Sequence, residues 1–134
     1  MDRKLVGMLS LAGVVMGVAS VLGWTQRIEF VMWLVIAISS AFVIAREAPG
    51  KFFVHGFWTG LLAGIASPLI QLALYSTYLA NNPDTAAQVE TMPQNMNPRV
   101  VLLIFTPVIG LLNGAVLGLL SWGTSRVIKR RLDV

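Results

Sequence analysis

The side chains able to do chemistry in this chain are few and widely spaced. His55 is the single histidine, with Lys51 four and Glu47 eight positions before it. Imidazole titrates near neutral pH and a nearby carboxylate favours its charged form, so His55 and Glu47 form the pair suited to handling a proton. The plainer reading of His55 is a polar residue at the start of a helix. Gln71 and Asn113 are amides deep inside long apolar stretches, and Pro68 and Pro107 precede them by three and six positions. A buried amide takes its partners from neighbouring helices, at about 0.6 kcal/mol per interaction in a bilayer. Prolines free backbone carbonyls, and freed carbonyls beside amides are what line a polar cavity between helices. Gln71, Asn113, Pro68 and Pro107 therefore read either as structural glue or as a cavity lining.

The missing residue types narrow the choice further. Cysteine is absent, which removes thiolate metal ligands, a Cys nucleophile and any disulfide framework. No His, Asp and Glu residues cluster at metal-ligand spacing. The apolar stretches hold no paired carboxylates for acid–base work. Glycines recur every four residues inside apolar runs, a spacing unlike that of phosphate-cradling loops. Neither an enzyme nor a metal or cofactor site is expected. A net charge of +4 and a pI near 10.1 invite nucleic acid as a partner. The basic residues, however, sit at the ends of apolar runs, where they serve topology.

The elements that position these residues follow from composition. Of 134 residues, 56% are hydrophobic and 12% charged, with a mean hydropathy of +0.75; a soluble domain carries about a quarter charged residues. Four spans are read at about 5–23, 28–45, 52–80 and 98–122, with a polar loop at 81–97 and a basic tail at 123–134. Each is long enough for a hydrocarbon core of about 30 Å, and the runs are apolar all round rather than amphipathic. The fold class is all-α, a single integral-membrane four-helix bundle. The first run resembles a signal peptide but exceeds the usual apolar core of about 7–15 residues, so it is expected to stay as the first helix.

Glycine spacing predicts how the helices meet. Gly56, Gly60 and Gly64 stand on one face of the third span, Gly110, Gly114 and Gly118 on one face of the fourth, and Gly13 and Gly17, followed by Ser20, on the first. Such GxxxG ladders let backbones approach where no side chain intervenes. The third span becomes the hub for the first and fourth. The second span has no glycine; it is expected at the periphery with Ser39, Ser40 and Ala41 inward. The segment Gly13 to Ser20 matches Gly60 to Ser67 in residue class, which reads as convergent packing. At 29 residues the third span would be about 43 Å long, so tilt or a bend at Pro68 is expected.

Asn82, Pro83 and Asp84 predict a short helix ending before Pro93, with Asn82 as its cap, and Asn97-Pro98 repeats the signal for the fourth span. Counting Lys and Arg outside the spans gives eight on one side (Arg3, Lys4, Arg46, Lys51, Arg126, Lys129, Arg130, Arg131) and two on the other (Arg27, Arg99). The positive-inside rule then places both termini in the cytoplasm (N-in/C-in) and 81–97 outside. Trp24, Trp33, Tyr75 and Tyr78 read as outer-interface anchors, Trp58 and Trp122 as inner ones. Arg27 and Glu29 form a weak exposed pair. The tail attracts anionic lipid headgroups at about 1 kcal/mol per basic residue.

Arg46 after the second span, the entry Phe53, Gly56, Phe57 and Gly60, then Ile65-Ala66-Ser67, the Tyr-rich end and Asn82-Pro83-Asp84 resemble a domain-of-unknown-function family of small four-span bacterial membrane proteins. The resemblance covers roughly 46–131. It implies a four-helix membrane fold with a polar segment between the third and fourth spans, a location in the bacterial inner membrane, and no activity to carry over. Two functions are then expected. The first is a non-enzymatic accessory or scaffold subunit, partnered by membrane lipids and by other membrane subunits or itself. The alternative is a small solute or ion transporter or channel, as a monomer or an oligomer, built around Gln71, Asn113, Pro68 and Pro107.

Overall fold

The computed structural model describes residues 1–132, with side chains through residue 128. Lys129, Arg130 and Arg131, which weigh in the charge count, lie outside the described side chains. The described chain is all-helical: α1 (Arg3–Val21), a 3-10 turn (Gln26–Ile28), α2 (Glu29–Glu47), α3 (Phe52–Ala73), α4 (Tyr75–Asn81), α5 (Pro83–Glu90) and α6 (Pro98–Leu132). Four of these segments are long and apolar enough to cross a membrane: Arg3–Val21, Gln26–Glu47, Phe52–Ala73 and Pro98–Ile128.

Local chemistry sets the boundaries. The Asp2 carboxylate accepts from the Lys4 and Leu5 amides at 3.0 and 3.1 Å and starts α1, satisfying two of the amides that a helix start leaves bare. Asn97 accepts from Arg99 N at 3.0 Å at the head of α6, with Pro98 at the first helical position. Lys51 adopts the left-handed conformation (φ 49°) between α2 and α3. Gly23 (φ 77°) turns the chain after α1, and a side chain there would run into the Asn81 carbonyl.

Two boundaries differ from the sequence reading. The helix expected over 52–80 passes through Pro68 but is divided at Leu74 (φ −113°, ψ 40°). Leaving the helix there brings Asn81 and Asn82 onto the end of α1. Asn82 occupies the cap position of α5, yet its side chain does not cap that helix. It donates instead to the Ser20 carbonyl at 2.8 Å and to the Tyr78 carbonyl at 2.8 Å, and Asn81 donates to the Val21 carbonyl at 3.0 Å. Carbonyls at the C-terminus of α1 have no partners of their own within the helix, so these amides find better acceptors there.

Packing centres on α3, whose most extensive contact is with α6 and whose next is with α1; α2 leans mainly on α6. A Cβ on Gly13 would collide with the Ala63 carbonyl, one on Gly60 with the Asn113 carbonyl, and one on Gly56 with the Leu117 carbonyl. In the other direction, Gly114 faces Phe57 O at 2.8 Å from its ideal Cβ, and Gly118 faces the Phe53 ring at 2.9 Å. The approaches of Gly13, Gly56, Gly60 and Gly114 to carbonyls are backbone-to-backbone contacts that only glycine permits. On α2 the buried residues are Ser40, Ala41 and Ile44, while Ser39 is exposed. Only 17% of the α2 span is buried, against 44% of α1 and of α3, so α2 shows most of its apolar surface outward.

Candidate functional site

His55 is 1% exposed and sits at the start of α3. Its Nε2 lies 2.8 Å from the Asp2 backbone N, and its Nδ1 lies 3.0 Å from the Lys51 carbonyl. A backbone N–H can only donate, so Nε2 is the acceptor and Nδ1 carries the proton that Lys51 O accepts. Glu47 is exposed and is not among the partners of His55. The expected His55 and Glu47 pair is therefore not assembled: the left-handed turn at Lys51 puts a carbonyl where the carboxylate was expected. His55 instead fastens the N-terminal end of α1 to α3.

The amides have separate fates. Gln71 donates from Nε2 to Ser20 Oγ at 2.9 Å in a buried contact between α3 and α1. Asn113 is half-buried, with its Nδ2 2.7 Å from where a Gly64 Cβ would stand. Both line a groove of about 320 Å³ between α2, α3 and α6, to which α2 gives Glu29, Phe30 and Trp33 and α3 gives Gly64, Ser67, Pro68 and Gln71. Three of the expected cavity residues, Gln71, Asn113 and Pro68, thus meet in one place; Pro107 does not line it.

The groove is the middle of a series. A polar cavity of about 260 Å³ lies at one end, lined by Glu29, Tyr78, Asn82, Asp84, Thr85 and Gln88 among others. At the opposite end a void of about 40 Å³ shares Trp33 and Asn113 with the groove and is otherwise lined by residues such as Leu9, Thr59, Ala63 and Leu117. Thr59 is 1% exposed and its hydroxyl has no partner. Such a space admits one or two waters, since a water needs about 10–15 Å³. Beyond it, Gly56 packs against Leu117 and Ser121.

Glu29 lines both the cavity of about 260 Å³ and the groove of about 320 Å³, and it is the candidate site residue that sequence reasoning passed over. The Trp33 indole, one turn along α2, and the Ser20 hydroxyl lie near its carboxylate. Among the described residues no Lys, Arg or His side chain pairs with it. The Arg27 partner expected from sequence is not made. The available signal was the Glu29 and Trp33 spacing of four, which puts carboxylate and indole on one helix face. A distinct cleft at the other end of the molecule is lined by Lys51, Phe53, Trp122, Ser125 and Arg126, with the Arg126 guanidinium 4.9 Å above the Trp122 ring. No protein-family model, curated protein or solved structure significantly matches the chain.

Proposed function

We propose that this chain is a non-enzymatic, four-span membrane protein that carries a small solute. Its helices form a bundle held by GxxxG-type contacts, with both termini in the cytoplasm of a bacterial inner-membrane protein. Kinship with the four-span family of unknown function is part of this proposal and rests on Arg46, Phe53, Gly56, Gly60 and Asn82-Pro83-Asp84. The observation that carries the transport reading is the run of three cavities that share Glu29, Trp33 and Asn113 in their walls, from Tyr78 and Asp84 at one end to Thr59 at the other. Solute sites of transporters sit between helices near the middle of the bilayer, and an ionisable residue in or beside a span is a functional-site signal.

A second reading, an accessory or scaffold subunit, is favoured by the outward apolar face of α2, where Phe30, Val31, Leu34, Val35, Ile38 and Phe42 are exposed. The glycine ladders do not add to it, because their faces are occupied within the chain. The absence of cysteine gives a ready test of transport. In single-cysteine variants, Asn113→Cys should react with a membrane-impermeant maleimide from the outer side. Thr59→Cys should react from the cytoplasmic side in the fraction of molecules facing inward. Both positions protected from both sides in native membranes would end the transport reading and leave the scaffold one.

A further inference from the structure

The groove is built to accept positive charge. Asn113, Ser67 and Trp33 bring donors to its wall, but the one formal charge among its lining residues is the Glu29 carboxylate. The Glu29 carboxylate forms no ion pair among the described residues, and Arg27 lines the adjoining cavity without pairing with it. One N–H of the Gln71 amide goes to Ser20, and no side chain donates to its carbonyl oxygen among the described residues. Pro68 has no N–H to give the Gly64 carbonyl one turn earlier, so that carbonyl lacks its helical donor. Two aromatic residues, Phe30 and Trp33, complete the wall beside Glu29, and aromatic faces attract cations, most strongly when water is excluded.

Volume and surroundings narrow the class. At about 320 Å³ the groove falls at the lower end of small-molecule sites, which run roughly 300–1,000 Å³. A bare inorganic cation would leave most of that space and both rings unused. A purely apolar guest would bury the carboxylate without a counter-charge, which disfavours it. We infer that the groove between α2, α3 and α6 binds a small organic ammonium with an apolar body, its charge beside Glu29 and Trp33 and its body toward Pro68 and Ile109. This names the solute class for the transport reading and rests on that reading for its physiological meaning, though binding itself needs no transport.

The test is equilibrium binding to the full chain in lipid nanodiscs, using benzyltrimethylammonium and its uncharged carbon isostere neopentylbenzene. Saturable binding of the cation is expected, with no competition from the isostere. Glu29→Gln, which keeps the shape and removes the charge, should weaken binding about ten-fold or more, as for loss of a charged contact. Trp33→Leu should also weaken it, and gives an independent reading should Glu29→Gln fail to fold. Equal binding by parent and Glu29→Gln, equal competition by the neutral isostere, or displacement by equimolar Na⁺ would each overturn the inference. None of these results bears on the maleimide accessibility of Asn113→Cys and Thr59→Cys, so the transport reading stands or falls separately.

Discussion

Gln71 on α3 donates its side-chain amide to the Ser20 hydroxyl on α1 at 2.9 Å, and both residues are buried. Asn82 donates to the backbone carbonyl of the same Ser20, so Ser20 is tied to the α3–α4 segment through side chain and backbone alike. Because Gln71 also faces the groove, the same residue sets helix spacing and offers a carbonyl to whatever enters.

The Ser20 and Gln71 contact is expected to show a coupling of about 0.6 kcal/mol, the usual size for interhelical hydrogen bonds in a bilayer. A double-mutant cycle with Ser20→Ala and Gln71→Leu, measured by reversible unfolding in mixed micelles, gives this value directly. Additive effects of the two substitutions would mean that the bond contributes nothing net.

Glycine substitutions should divide by their surroundings. Gly60→Ala places a methyl group into the Asn113 carbonyl, whereas Gly7→Ala and Gly123→Ala meet nothing within 4 Å. Gly60→Ala should destabilise by about 1–3 kcal/mol, the cost of overpacking a tight interface. Gly7→Ala and Gly123→Ala should be neutral or gain up to about 1 kcal/mol from the better helix former. Thermal unfolding in detergent separates the groups, and Gly60→Leu should fail to reach the folded band at all. A Gly60→Ala variant as stable as Gly7→Ala would remove the close-packing account of α3 and α6.

The sequence made the helices legible because their apolar length has no other use, and it made the glycine faces legible because a spacing of four keeps small residues in one row. It left hidden the contacts that depend on loop conformation. His55 and Glu47 lie close along the chain, but Lys51 at φ 49° turns the first strongly buried polar group of α3 toward Asp2, 53 positions away. Glu29 was passed over for a related reason. A carboxylate at the start of a span reads as a surface residue until the neighbouring helices are known, and only the approach of α3 and α6 encloses the space beside it.

His55 should act as a latch on the chain terminus. Replacing it with Phe keeps the bulk but removes the acceptor for Asp2 N and the donor to Lys51 O, a loss of about 0.5–1.5 kcal/mol for each bond. Backbone amides at Asp2, Lys4 and Leu5 should then exchange with solvent faster, while those of Gly60 and Gly64 keep their protection. Hydrogen exchange read by mass spectrometry resolves these segments. Uniformly faster exchange throughout α3 would instead mark His55 as a packing residue for the whole helix.

Asn82 offers the sharpest contrast between two nearly isosteric side chains. Its Nδ2 is the donor to two carbonyls, Ser20 O and Tyr78 O, each at 2.8 Å, and the residue is 6% exposed. Asn82→Asp would put a carboxylate that only accepts against two acceptors; Asn82→Ala would merely remove one donor from each, and Ser20 O would keep the Gly23 amide at 3.0 Å. The expected order of stability is therefore parent, then Asn82→Ala, then Asn82→Asp. Leaving buried partners unsatisfied costs about 1–3 kcal/mol, and more when a charged group is left unsatisfied. At acid pH the Asp carboxyl regains a proton to donate, so Asn82→Asp should recover toward the parent as pH falls while Asn82→Ala does not. Unfolding midpoints of the three proteins across pH decide it. An Asn82→Asp protein that tracks Asn82→Ala at every pH would show that the amide donor does not hold the end of α1 to α4.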